Sequence, residues 1–266
     1  PDAPLSIRAA TPGTAVISGS KRLTGFAAVT DKSVLARLPK EARGKVMECN
    51  LSALGITGLT GLSVNGVNQP VAHWPNLGYV PVGTLTDPGN RNKTNPSLDR
   101  PQTFTYYGNR PSRWTTATDS NLSGYFSDAA YHDQVAIGSV NPQAGTITTA
   151  TCISTYTGWP ELKVGASYRA FDLLEEIDQP GEWYLDRTSN ILYWYPTVDP
   201  STASIQLSTL STSMLSADKV SYLRVEGLVF EASRGAGLQL NKCTESSVIG
   251  CTIRNIGGVG MAFNGG

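Results

Sequence analysis

The chain has 266 residues, and its Lys+Arg and Asp+Glu counts are both 21, so its formal charge is zero. That balance, with no basic stripe, argues against a nucleic-acid partner, and no apolar run approaches the roughly 18–20 residues of a membrane span. With 27 glycines, 16 prolines and only 16% charged residues, the composition is that of an extended β protein with many corners.

The first residues, "PDAPLSIRAATPG", lack the basic start and apolar stretch of a signal peptide. The expectation is that a signal has been removed or that the chain begins inside something larger. "PLSIRAATPGTAVISGSKRLTG" holds two short β-type runs, Leu5–Arg8 and Ala15–Ser18, split by "TPG". Residues 1–22 thus read as a first coil. From about Leu23 to Thr197 the signals are those of antiparallel sheet. "EWYLDRTSNILYWY" reads as a hairpin of Glu182–Asp186 and Ile191–Tyr195, and "TPG", "DPGN", "NPQAG" and "QPG" punctuate other runs. Short helices are expected in "LARLPKEARGKV" (Leu35–Val46) and in "RAFDLLEEID", before the Gln179–Pro180–Gly181 turn. Residues 23–197 are read as one inserted, mainly antiparallel β-sandwich.

Residues 198–266 carry a repeat. Aligning Gly227 with Gly250 brings Val225 onto Val248, Leu228 onto Cys251, Phe230 onto Ile253, Leu238 onto Met261, Leu240 onto Phe263 and Asn241 onto Asn264. One period earlier, Ile205, Leu207, Leu215, Ala217 and Asp218 fall into the same register. A fixed period in the twenties signals a solenoid. Each period has two short alternating runs, glycine corners and no helical pattern, which predicts a right-handed parallel β-helix rather than a leucine-rich repeat. The fold class expected is all-β: a parallel β-helix of period about 23 with an inserted antiparallel β-sandwich. The last coil, with Val248, Cys251, Ile253, Met261 and Phe263 on its apolar row, has no polar cap. A following segment or second chain is therefore expected to stack on residues 246–264. The four cysteines (Cys49, Cys152, Cys243, Cys251) leave pairing open.

Three blocks, "GLSVNGVNQPVAHWPNLGYV", "FDLLEEIDQPGEWYLDRTSNILYWYP" and "IRNIGGVGMAFNGG", resemble secreted β-helix glycoside hydrolases with an inserted β-sandwich, of the β-xylosidase and α-fucosidase/xylanase kinds. The resemblance implies a secreted or periplasmic protein acting on O-glycosyl bonds of a polysaccharide or oligosaccharide, with paired carboxylates on adjacent coils. The same fold hosts polysaccharide lyases and non-catalytic tailspike-like binding proteins, so those remain the alternatives.

Glycoside hydrolysis by retention needs carboxyl groups about 5–5.5 Å apart, and equivalent positions on adjacent coils lie about 4.7–4.9 Å apart. No acid in the repeat has an acidic partner one period away. Glu231 aligns with Arg254, Glu226 with Ile249, and Asp218 with Asn241 and Asn264. The catalytic acids are therefore unassigned, and the resemblance implies that they lie on coils downstream of Gly266. Glu231 with Arg254 reads either as a surface cross-strand ion pair or as a substrate contact. His73 and Trp74, in "AHWPN", read either as packing or as a sugar subsite, because an aromatic face packs against a pyranose. Asp172, Glu175, Glu176 and Asp178 lack EF-hand spacing and read as a solvated cluster, with Ca²⁺ the one cofactor they could serve. No CxxC, HExxH, phosphate loop or serine elbow occurs.

Overall fold

The computed structural model describes residues 4–56, 60–90, 92, 94–116, 119–127, 131–153 and 162–265. Among these, the secondary structure is almost entirely β, with one α-helix, Lys32–Arg37, and a few 3₁₀ turns. None of the described helices is long and apolar enough to cross a membrane. The chain divides into two compact units: Pro1–Phe26 with Leu54–Gln69 and Val198–Gly266, and Ala27–Ala53 with Pro70–Thr197. Residues 54–69 thus lie in the first unit, although the sequence reading grouped them with the stretch between the coils.

The first unit holds three parallel three-stranded sheets. One pairs Leu5–Arg8, Leu223–Glu226 and Ser247–Ile249; a second pairs Val16–Ser18, Val229–Ser233 and Thr252–Ile256; the third pairs Leu215–Asp218, Leu238–Asn241 and Met261–Asn264. Val225 stands opposite Val248, Phe230 opposite Ile253 and Leu240 opposite Phe263, which is the register of the sequence repeat. Alternation explains which side chains turn inward. Leu223, Val225, Leu238 and Leu240 are buried, while Arg224 and Gln239 between them are less so. With Leu228 and Phe230 they form one apolar cluster, to which Ile7, Ile17, Val248 and Ile253 add partly buried surface. Gly227 and Gly250 both have positive φ, 66° and 59°, and so supply the corner between two runs that the sequence assigned to them.

Ile205 and Leu207 depart from the expected register. Their strand, Ile205–Ser208, lies in an antiparallel sheet between Ser20–Leu23 and Gly61–Val64, with Val67–Asn68 beyond. Alternation alone fits either partner. The place before Leu223–Glu226 and Val229–Ser233 is taken instead by Leu5–Arg8 and Val16–Ser18.

The second unit is built on antiparallel pairing. Its eight-stranded sheet runs Leu85–Asp87, Thr103–Thr105, Thr146–Thr149, Asp133–Asn141, Asn121–Tyr125, Ser167–Phe171, His73–Trp74, with Val80–Pro81 also on Ser167–Phe171. A four-stranded sheet joins Trp183–Asp186, Ile191–Trp194, Met47–Asn50 and Ala27–Ala28, and the predicted hairpin sets Trp183 opposite Trp194. Two expected helices are corrected. Leu35–Val46 is the end of helix Lys32–Arg37, capped by Asp31, followed by a 3₁₀ turn at Lys40–Ala42, because Pro39 holds Leu38 extended. "RAFDLLEEID" begins as strand: Tyr168 and Ala170 are buried on one face of Ser167–Phe171, and only Leu174–Glu176 coils into a 3₁₀ turn. All four cysteines are free thiols.

Phe230 has no solvent exposure. Phe230→Ala should destabilise the first unit by about 3–5 kcal/mol, read as a lowered urea midpoint. Val259→Ala, at a side chain 59% exposed, should leave the midpoint nearly unchanged.

Candidate functional site

Two features of the first unit are candidates for function. Strand Val229–Ser233 is buried along its whole length, because the strands Ser20–Leu23 and Ile205–Ser208 pack near it. Glu231 is therefore 6% exposed, and its Oε2 accepts from Arg254 Nε at 2.8 Å and lies 2.6 Å from Arg254 Nη2. Arg254 stands one strand over in register, and its own side chain is half exposed. The Asn65–Gly66 turn sits against this pair. Asn255 Nδ2 donates to the Gly66 carbonyl at 2.9 Å, and a Cβ on Gly66 would lie 3.5 Å from Arg254 Nη2. The pair named from the sequence is thus brought together, and the neighbouring Asn255 ties the hairpin Gly61–Asn68 to the parallel sheet. Asn264 Nδ2 donates to Asn241 Oδ1 at 2.9 Å, so these two residues form an amide ladder.

The second feature is a groove of about 610 Å³ that the sequence reading did not name. It forms where the chain leaves the parallel sheets at Gly19 and returns at Leu210. Gly19 donates to the Glu231 carbonyl at 3.0 Å, while Thr209 and Leu210 N–H groups both donate to the Gly19 carbonyl. Arg234 and Gly235 N–H groups donate in turn to the Leu210 carbonyl, as does the Ser233 hydroxyl. A Cβ on Gly19 would lie 2.8 Å from Ser233 Cβ, so the crossing is too tight for a side chain. Lys21 and Arg234 line the groove beside the hydroxyl-bearing Ser18, Ser20, Ser208 and Ser211. Lys21 Nζ donates to the Leu54 carbonyl at 2.8 Å. No carboxylate is among the described lining residues.

His73 and Trp74 lie in the second unit. Trp74 stacks edge-on against Trp114 at 5.6 Å and packs on that unit's main apolar cluster. His73 Nδ1 is 2.9 Å from the Val71 carbonyl and 3.3 Å from Glu182 Oε1. A carbonyl only accepts, so Nδ1 carries the hydrogen. Glu182, which the sequence did not single out, is 2% exposed, and its Oε2 accepts from the Asp178 and Gln179 backbone N–H groups. Burial pushes its pKa up to about 7 against the partial offset of those two bonds.

The neighbouring acids are held by arginines. Glu176, fully buried, accepts from Arg110 Nε at 2.8 Å and Trp114 Nε1 at 2.7 Å. Burial raises its pKa despite those partners. Arg110 also donates to Asp178, and Arg37 to Glu175 at 2.7 Å. Acids whose charge is already matched by guanidinium groups do not fit a calcium ion, and among the described residues no three acidic, histidine or cysteine side chains converge on a cation site. Arg37, Arg110 and Trp114 are far along the chain from the acids they bind, so no local motif points to them.

No family model matches this chain, and no curated protein matches it. A solved structure described as "Glycoside hydrolase" is similar to it, with a TM-score of 0.67 at 13% sequence identity, over 98% of this chain and 55% of that one. At that identity the likeness establishes shared fold. The chain spans about half the length of the matched structure.

Two tests follow from the buried charges. Arg254→Met should destabilise the first unit by about 1–3 kcal/mol because it strands Glu231, whereas the double variant Glu231→Met/Arg254→Met should recover most of that loss; a double-mutant cycle reads it. For Glu182 the folded-state pKa is above the ordinary value of 4.5, so folding favours the protonated form. Its contribution is fully present below pH 4.5 and is lost as pH rises through about 7. Glu182→Gln should flatten the pH dependence of the urea midpoint across that window, by roughly 3 kcal/mol.

Proposed function

We propose that this chain is part of a glycosidase that cleaves O-glycosyl bonds in a polysaccharide or oligosaccharide. The observation that carries this reading is the likeness, over 98% of the chain, to a structure named a glycoside hydrolase. The three parallel sheets are then the faces of a right-handed parallel β-helix whose coils have the length of the sequence repeat, and the antiparallel unit is an inserted β-sandwich. Supporting this are the register of the paired strands and the recurrence of the Gly227 corner at Gly250. A secreted or periplasmic location goes with a polysaccharide substrate.

The coil geometry suits paired carboxylates. Neighbouring strands are about 4.7–4.9 Å apart, close to the 5–5.5 Å or so between the acids of a retaining glycosidase. In the described strands Glu231 meets Arg254, Glu226 meets Ile249 and Asp218 meets Asn241, so the catalytic pair lies outside them. Arg254, half exposed, keeps surface on which a sugar hydroxyl can be held, with Glu231 fixing its guanidinium. His73, at 20% side-chain exposure, offers less, and Trp74 is used chiefly in packing.

Incubating the full gene product with xylan, a fucosylated glycan and a polyuronate tests the reading. New reducing ends without an unsaturated product are expected from at least one. Unsaturated uronate ends would mean a lyase on the same fold. Neither product from any substrate would overturn catalysis and leave a carbohydrate-binding module.

A further inference from the structure

We propose that a recess in the second unit binds a tetrahedral oxyanion, the sulfate or phosphate ester group of a small ligand. The recess, of about 310 Å³, lies beside the end of helix Lys32–Arg37. Arg37, Lys40, Arg43 and Arg113 line it, and Glu41 is the one acid of the described lining. This reading does not depend on the proposed cleavage. Arg37 is matched by the buried Glu175 at 2.7 Å. Among the described residues, Lys40, Arg43 and Arg113 form no ion pair with a carboxylate. Glu176 feels the charge of Arg113, but its own hydrogen bonds go to Arg110 and Trp114. Four cations thus face only Glu41 and Glu175, and the field in the recess is cationic.

The guanidinium groups themselves are anchored. Arg43 donates from Nε to the Leu38 carbonyl and from Nη2 to the Ala36 carbonyl, both at 3.1 Å. Arg113 donates from Nη2 to the Glu175 carbonyl at 2.8 Å. Carbonyls fix these groups without cancelling their charge. Of the five N–H donors of each guanidinium, three on Arg43 and four on Arg113 are left over. Preorganised charges bind anions with less ordering cost than mobile ones. The carbonyls that Arg43 covers are those at the end of the helix, where the negative end of the dipole would otherwise oppose an anion. Donor number selects the kind of anion. A carboxylate presents two oxygens, whereas a sulfate or phosphate ester presents three. Two anchored guanidinium groups with the Lys40 ammonium beside them suit the larger set. Ala36, Leu38 and Pro39 complete the described lining, which has no hydroxyl or amide side chain, so charge rather than hydroxyl recognition selects the ligand. The volume admits more than a lone ion and lies at the lower end of the 300–1,000 Å³ or so of typical ligand sites.

Titration calorimetry on the 266-residue chain tests this with four probes: glucose 6-sulfate, glucose 6-phosphate, glucuronate and glucose. At least one ester should bind about tenfold or more tighter than both glucuronate and glucose, and which ester does so tells sulfate from phosphate. Its affinity should fall as ionic strength rises from about 0.01 M to about 1 M and the screening length shrinks from about 30 Å to about 3 Å. Arg43→Gln and Arg113→Gln should each weaken it about tenfold. Lys40 and Glu41 are exposed, and their side chains make none of the bonds that hold the arginines, so their variants keep the test open if an arginine variant does not fold. Lys40→Gln should weaken the ester and Glu41→Gln should tighten it, each by about two- to fivefold. Such opposite changes come from charge at the site and not from loosened structure. Neither ester binding more tightly than glucose, glucuronate binding as tightly as both esters, or folded Lys40→Gln and Glu41→Gln proteins with unchanged affinity would each overturn the inference.

Discussion

The first unit depends on one constraint: each apolar side chain of a parallel strand must stand over its counterpart one period further along the chain. A slip of one position would turn Val225, Phe230 and Leu240 away from Val248, Ile253 and Phe263 and expose the whole row. The same constraint decides where the chain can be interrupted. Two of the three sheets start with strands from the beginning of the chain, Leu5–Arg8 and Val16–Ser18, and the third starts with Leu215–Asp218. Residues 19–214 lie between them. Such a long excursion carries a loop-closure cost that grows only slowly with length, and the main-chain bonds among Gly19, Glu231 and Leu210 close it.

The period is written in the backbone as well as in the side chains. Positive φ recurs at Lys219, Lys242 and Gly265, at Tyr222 and Glu245, at Gly227 and Gly250, and at Ala232 and Asn255, always at the spacing of the repeat. Glycine takes this conformation readily, whereas other L-residues are disfavoured by about 1–2 kcal/mol. Lysine, tyrosine, glutamate and alanine hold it here because strand pairing on both sides of each corner over-determines the backbone.

Charge is distributed by a related logic. In the second unit, acids taken out of water are met by guanidinium groups, as Glu176 is by Arg110 and Glu175 by Arg37. Glu182, which has backbone donors and a histidine instead, is the one pushed to about 7. In the first unit Glu231 is matched by Arg254, and the described groove lining beside the Gly19 crossing carries Lys21 and Arg234 but no acid.

Alternation and a fixed offset are local properties, and through them the sequence alone determined the all-β class, the strands Leu5–Arg8 and Leu238–Asn241, the Trp183–Trp194 hairpin, the corners at Gly227 and Gly250, and the meeting of Glu231 with Arg254. Tertiary structure alone decided the rest. Ile205 and Leu207 alternate as a parallel strand would, but they pair antiparallel with strands Ser20–Leu23 and Gly61–Val64 because alternation fixes which face is apolar and not which partner covers it. Ala170 and Phe171 became strand rather than helix because neighbouring strands were there to pair with. The groove draws on residues near positions 20, 54, 210 and 234, whose spacing has no period. They meet only through main-chain bonds at the crossing, and backbone donors and acceptors, common to every residue, leave no mark in a sequence.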